Sequence, residues 1–331
     1  MAGYDPNDLA SRAARVVVLV PCYNEEAAIR QVVADFRRAL PEAVIYVYDN
    51  NSGDRTVEVA AAAGAVVRRE PLQGKGNVVR RMFADVEADV YVLVDGDDTY
   101  DAASAPALIR RLLDDRLDMV SGARVTEIQA AYRPGHRFGN VLLTSIVALV
   151  FGNRIGDMLS GYRVFSRRFV KSFPALSSGF EIETELTIHA LELAMPVAEV
   201  ATPYKDRPEG STSKLRTFRD GFRILGMIVR LIKEERPLMF FSVLFGLLSA
   251  LSIALVWPVV VTFLNTGLVP RLPTAILSAG IMLLAFLSLF CGLILDTVTR
   301  GRKEMKRMRY LEFPAPAHGA PEEADTRKTA T

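Results

Sequence analysis

The sequence predicts an α/β domain on a mostly parallel, doubly wound sheet, followed by an interfacial helical region and a two-helix transmembrane hairpin. Three observations carry that expectation. Short β-branched runs alternate with helical patterns between residues 15 and 124. A polar cluster directly follows the first, second and fourth of the apolar runs. Beyond residue 236, two long stretches carry no charged residue.

Strands are predicted over residues 15–21, 44–50, 65–70, 89–97 and 118–124, and helices over 24–40, 54–64, 76–88 and 105–116. The strand runs lack the period-2 alternation of a sheet with one wet face, so they suit strands buried on both faces, and the helices between them serve as right-handed crossovers. In such sheets ligands gather outside the carboxyl ends of the strands. The clusters at Cys22 to Glu26, Asp49 to Asp54 and Asp95 to Asp101 occupy those ends.

Leu238 to Phe263 and Leu272 to Leu295 are uncharged and exceed the roughly 20 residues that cross a bilayer. The connector between them is too short to be a domain, so the spans form an antiparallel hairpin with both flanks on one side. Those flanks carry Arg230, Lys233 and Arg236 before the hairpin and Arg300, Arg302, Lys303, Lys306, Arg307 and Arg309 after it, against Arg271 alone in the connector. The positive-inside rule therefore puts the α/β domain in the cytoplasm, as part of a multi-pass protein of the cell (inner) membrane. Between sheet and hairpin, Lys214 to Lys233 sets Leu215, Phe218, Phe222, Leu225, Val229 and Ile232 at helical spacing against a basic face, a pattern that the adjacent membrane span and that basic face assign to an interfacial helix over an ordinary amphipathic core helix. Val141 to Phe151 is apolar but too short to span, and suits either the headgroup region or the core. The expected organisation is an N-terminal extension (1–13), a catalytic domain (14–212), an amphipathic helix (213–235), the hairpin (236–298) and a basic juxtamembrane segment with a disordered tail (299–331).

Composition narrows the partners. The chain is 50% hydrophobic, and 40 basic against 38 acidic residues leave a net charge of +2, which gives no field for a nucleic-acid partner. Cys22 ends a strand and Cys291 lies in an apolar run, so no disulfide framework is expected. The first 15 residues lack an apolar core of signal-peptide length. Nothing in the sequence fixes oligomeric state, and a homo-oligomer is left open.

The most informative cluster is Asp95-Gly96-Asp97-Asp98, because carboxylates one residue apart at a strand end can hold a hard cation, Mg2+ or Mn2+, and present it to a diphosphate. Gly74-Lys75-Gly76-Asn77 opens a helix but is no P-loop, since no Ser or Thr follows the lysine, and the first strand lacks GxGxxG.

Pro21-Cys22-Tyr23-Asn24-Glu25-Glu26, Asp49-Asn50-Asn51-Ser52, Gly74-Lys75-Gly76 and Asp95-Gly96-Asp97, in this order and spacing, resemble the family 2 glycosyltransferases of the GT-A fold. The resemblance implies that Pro21, Tyr23, Glu25, Asp49, Lys75 and Asp95 bind a nucleotide-sugar and that Asp95 and Asp97 hold the metal. Two positions depart from the commoner pattern: Asn50-Asn51 stands for Asp-Gly, and Thr99 stands where Gln often follows the DxD motif. Asp157-Met158-Leu159-Ser160-Gly161-Tyr162-Arg163 resembles a segment of the polyprenyl-phosphate branch, the dolichol-phosphate mannosyltransferase-like enzymes, with Tyr162 replacing Phe. On that resemblance Arg124, Arg137, Arg207, Ser211 and Lys214 face the acceptor phosphate, and Asp157, Asp97 and Arg124 are the catalytic candidates. Arg207 and Lys214 suit lipid headgroup contacts as well. Asp157 suits orientation of the acceptor, stabilisation of oxocarbenium character at the sugar, or a structural role.

The implied reaction is transfer of one sugar from a UDP- or GDP-sugar to polyprenyl phosphate of undecaprenyl or dolichyl type, with inversion. A phosphate monoester has its second pKa near 6, so the acceptor is already nucleophilic at neutral pH and the enzyme must chiefly neutralise charge. A processive polysaccharide synthase of the same fold would be expected to carry Gln-x-x-Arg-Trp, whereas the single tryptophan, Trp257, lies in the first apolar stretch. A sugar nucleotidyltransferase has no need of the hairpin, and a membrane scaffold no need of three polar strand ends.

Overall fold

The computed structural model describes residues 14–125, 156–179, 181–205, 229–230 and 232–316. The α/β unit runs β1 (Val16–Cys22), α1 (Ile29–Ala39), β2 (Val44–Asp49), α2 (Thr56–Ala62), β3 (Val66–Arg69), α3 (Lys75–Asp85), β4 (Val90–Leu93), α4 (Ala105–Asp114), β5 (Met119–Val125), β6 (Arg163–Ser166), α5 (Arg167–Ser172), α6 (Ile182–Glu192) and β7 (Val197–Pro203). The seven strands lie in the order β3-β2-β1-β4-β6-β5-β7. All pairings are parallel except those of β6, which runs antiparallel to both β4 and β5. This is the mostly parallel, doubly wound sheet expected. Val17, Val18, Leu19 and Val20 are all fully buried, the signature of a strand covered on both faces. Each such side chain contributes roughly 1.5–3 kcal/mol relative to exposure.

The chain order makes β1 and β4 neighbours although two strands separate them in sequence, and a crevice opens at that switch point, outside their carboxyl ends. Reversal of β6 has a further effect. Leu93 pairs with Arg163, so the segment leading into β6 arrives at the same sheet edge where β4 ends.

The first helical pattern begins at Asn24, yet α1 begins only at Ile29. The backbone N–H groups of Asn24, Glu25 and Glu26 donate instead to Ser52 Oγ, Thr56 Oγ1 and Asp54 Oδ2. Side-chain acceptors from the next loop hold these residues out of the helix.

A second compact unit, ending at Met305, contains the hairpin. Its helices are α7 (Pro237–Thr266) and the first part of α8 (Leu272–Leu311), each of mean hydropathy 2.4 over its most apolar window. Only 6% of that window is buried in α7 and 22% in α8, whereas the core helix of a soluble protein is mostly buried. Gly267 ends α7 in the left-handed conformation that favours glycine, and its N–H donates to Phe263 O. Along α8 the buried residues Ser278, Ala285, Gly292 and Thr299 recur every seven positions. Small residues in such a seam let two helices approach closely where lipid offers no hydrophobic drive. Phe241 lies where a Cβ on Gly292 would sit, and Ser252 Oγ donates to Ser278 O.

The described residues from Lys306 to 316 belong to the α/β unit. Lys306 pairs with Glu192 at 2.7 Å, and Tyr310 donates to Asp118, which Arg168 also holds.

Candidate active site

The loops after β1 and β2 form the first half of the site. Beyond the three backbone donors above, Gly53 N donates to Asn24 Oδ1, and Ser52 N donates to the fully buried Asp49 carboxylate. Asn50 explains the first departure from the family pattern. Its amide N–H groups donate to Glu70 O and Leu72 O at 2.9 and 2.8 Å, while its Oδ1 accepts from Gly74 N at 2.7 Å. A carboxylate could make only the last of these bonds. Asn51, in the left-handed region at φ 66°, donates to Pro71 O. One asparagine thereby ties the β2 end to the loop that delivers Lys75.

The second half is built from charges. Lys75 Nζ lies 2.5 Å from Asp95 Oδ1 and 2.5 Å from Glu183 Oε1, with the lysine and Glu183 side chains each only 10% exposed and Asp95 29% exposed. Burial alone would lower the lysine's pKa, but the two carboxylates outweigh it and hold the ammonium well above its ordinary range. Gly74, with φ 129°, and Gly76 let this loop press against the Ser177 and Ser178 carbonyls, and Gly76 N donates to Ser178 O. A side chain on Gly161 would overlap the Asp95 carboxylate, so glycine there admits Asp95 to the rim. Asp97 is buried and accepts from Thr99 Oγ1 at 2.6 Å and from Thr99 N. Thr99, the second departure, thus fixes the carboxylate through a short local turn.

On the same edge Arg124 and Asp157 form a bidentate pair, Nε to Oδ2 and Nη2 to Oδ1, both 2.8 Å. Burial pushes the Asp157 pKa up, but Arg124 more than offsets it and keeps the carboxyl below its usual range. Glu199 accepts from the N–H groups of Gly156 and Asp157, at 2.7 and 2.8 Å. Arg163 is fully buried beneath this loop, donating to Met158 O, Ser160 O and Thr187 Oγ1. Tyr100 OH accepts from Gly161 N, and Arg124 stacks on the Tyr204 ring, 5.6 Å from its centre.

Of the residues singled out in the sequence, Pro21, Tyr23, Glu25, Asp49, Lys75, Asp95, Asp97, Arg124 and Asp157 sit at or beside the carboxyl edge of the sheet. Lys75 touches Asp95, and Arg124 touches Asp157. Arg137, Arg207, Ser211 and Lys214 lie outside the described residues, as do the apolar stretch 141–151 and most of the amphipathic helix 214–233. Sequence reasoning missed Glu183, Glu199, Tyr100 and Tyr204. The signal for Glu183 was faint: one of three acids on a short helix that mixes polar and apolar residues, with no local sign that its face is buried.

A model of the family described as glycosyl transferase family 2 matches residues 17–173. Glycosyltransferase AglJ of Haloferax volcanii is 33% identical over 310 residues, covering 90% of this chain and 98% of that protein. The dolichyl-phosphate hexose transferase of the same organism is 32% identical over 237 residues, covering 71% of this chain and 99% of its own. Among solved structures, glucosyl-3-phosphoglycerate synthase from Mycobacterium tuberculosis, in complex with Mn2+, UDP and glucosyl-3-phosphoglycerate, has a TM-score of 0.56 at 22% identity, over 70% of this chain and 85% of that one. This last likeness is one of fold.

Proposed function

We propose, because this chain belongs to glycosyltransferase family 2, that it moves a single sugar from a UDP- or GDP-sugar to a polyprenyl phosphate at the cytoplasmic face of the cell membrane. The observation that carries the reading is the union, in one chain, of a charged strand-end site with two exposed apolar helices long enough to reach a lipid acceptor. The name of the dolichyl-phosphate hexose transferase relative supports the acceptor class. The excess of cationic residues outside the connector supports the cytoplasmic side.

The residues present fit a divalent cation. Asp95 and Asp97 offer oxygen donors one residue apart, and no cluster of three or more potential ligand side chains occurs among the described residues. Such a donor set suits Mg2+ or Mn2+, which complete their shells with phosphate oxygens and water rather than with a protein cage. Bound there, the cation would neutralise the leaving nucleoside diphosphate. Lys75 adds a fixed positive charge to the same rim.

The acceptor half needs no strong base, because a phosphate dianion attacks directly. Asp157 is suited to orientation instead: its low pKa leaves it ionised, and its bidentate grip fixes the Arg124 guanidinium. Direct displacement converts an α-linked donor into a β-linked lipid phosphosugar. Purified protein in vesicles containing polyprenyl phosphate, offered UDP- and GDP-sugars, should release nucleoside diphosphate and form one β-linked monosaccharide phospholipid, read by NMR of the extracted lipid. An α-linked product from an α-donor, a chain of several sugars, or transfer to soluble acceptors alone would overturn the proposal.

A further inference from the structure

We propose that Glu183 is a positioning residue of the donor site, the carboxylate that retains the Lys75 ammonium when Asp95 is drawn to a divalent cation. The inference deepens the reading above and rests on it. Lys75 is shared at equal distance, 2.5 Å, between a carboxylate at the open rim and one set deeper on α6. Their exposures differ, 29% for Asp95 against 10% for Glu183. Only the first is placed to turn toward a ligand.

The alternative to sharing is costly. An ammonium as buried as Lys75 with one carboxylate would lose its sole partner once a cation competed for that group, and an uncompensated buried charge is strongly destabilising. Cation binding would then be opposed by the lysine itself. With Glu183 present, Asp95 can leave while Lys75 keeps an ion pair.

The backbone supports the arrangement. Gly76 N donates to Ser178 O, so the loop bearing Lys75 is tied to the segment just ahead of the helix bearing Glu183. Thr187 Oγ1 donates to Glu183 O one turn on and accepts from the buried Arg163. The turn that carries Glu183 is thus tied to the buried Arg163 through Thr187.

The test is Mn2+ binding by the full-length protein in lipid nanodiscs, read by the electron paramagnetic resonance of free Mn2+ in the presence of UDP and, separately, GDP. Glu183→Gln, which keeps volume and hydrogen-bonding reach, should weaken Mn2+ binding about tenfold, and Glu183→Asp should restore it to within about threefold. In a Lys75→Met background, where no ammonium needs retaining, Glu183→Gln should change affinity less than about twofold. Thermal unfolding of each variant reports folding, and the Lys75→Met pair decides if Glu183→Gln alone melts early. Wild-type binding matched by Glu183→Gln, or the same tenfold loss in both backgrounds, overturns the inference alone. Wild-type protein that binds no Mn2+ with either nucleotide removes the metal reading and this inference with it.

Discussion

The two halves of the strand-end crevice are held by different forces. Around β1 and β2 the loops are laced by bonds from backbone and amide N–H groups, as at Asn24, Asn50 and Ser52. Around β4, β5 and β6 the groups are held by charge: Lys75 between two carboxylates, Arg124 on Asp157, and Arg163 under the loop before β6. Directed bonds from backbone and amide donors, some of them to the carboxylates of Asp49 and Asp54, make a preformed cradle with little reason to move. Ion pairs such as Lys75 with Asp95 can be re-paired by an anionic ligand or a cation. The first half is thus built by directed hydrogen bonds and the second by opposed charges.

The largest expected effect lies in the charged half. Asp97→Asn, or excess EDTA added to wild type, should lower kcat/KM on the order of 10³-fold, since electrostatic stabilisation of the leaving group is lost. Full activity in EDTA would break the assignment. Next comes Arg163→Met, which strips donors from the Met158 and Ser160 carbonyls and removes a buried charge from among Glu183, Asp157 and Glu199. It should cost about 3–5 kcal/mol of stability in denaturant unfolding. A stable variant with unchanged activity would mean that this loop is held some other way.

The hydrogen-bonded half is expected to respond differently. Asn50→Asp keeps size but turns two donors into acceptors facing the Glu70 and Leu72 carbonyls. The expected loss is about 1–3 kcal/mol, the desolvation cost of buried acceptors left unpaired. Chemical denaturation of the variant, with Asn50→Ser as a smaller neutral control, would show whether the lacing tolerates a charge.

The same division explains what the sequence made legible. Apolar runs and the polar ends that follow them are local signals, so β1 to β5, the Asp49 and Asp95 clusters and the lipid-length helices could be read directly. Antiparallel insertion of β6 between β4 and β5 is a long-range choice, and no pattern within residues 157–166 announces it. Contacts that depend on that insertion stayed hidden for the same reason, such as Gly161 against Asp95. Glu183 lies 108 positions from Lys75, and nothing local marks a glutamate as the partner of a distant lysine. The start of α1 was misjudged because periodicity reports helical faces, while the competing acceptors come from another loop.

The effect that is smallest at neutral pH separates the charged half from a titratable group of the same α/β unit. His189, on α6, is packed edge-on against Phe169 and Phe173 and bonded to Ser172 Oγ at 3.1 Å. Burial, with a smaller contribution from the Lys306 charge, pushes its pKa down to about 3. Its folded form is therefore neutral, and below about pH 6.5 the unfolded chain takes up a proton that the folded chain does not. Stability from this group is fully present above pH 6.5 and falls by at most about 1.4 kcal/mol for each pH unit on the way down to about 3. Asp157 also has a lowered pKa, but for a carboxylate the unfolded value lies near 3.8, so its contribution is lost only below that value. Acid unfolding should then show two phases: a decline beginning near pH 6.5 and a second beginning near pH 4. His189→Gln should flatten the first and leave the second, as followed by the denaturant midpoint at each pH. A first phase that survives the substitution would place the early acid sensitivity in the charged rim rather than in the aromatic packing around His189.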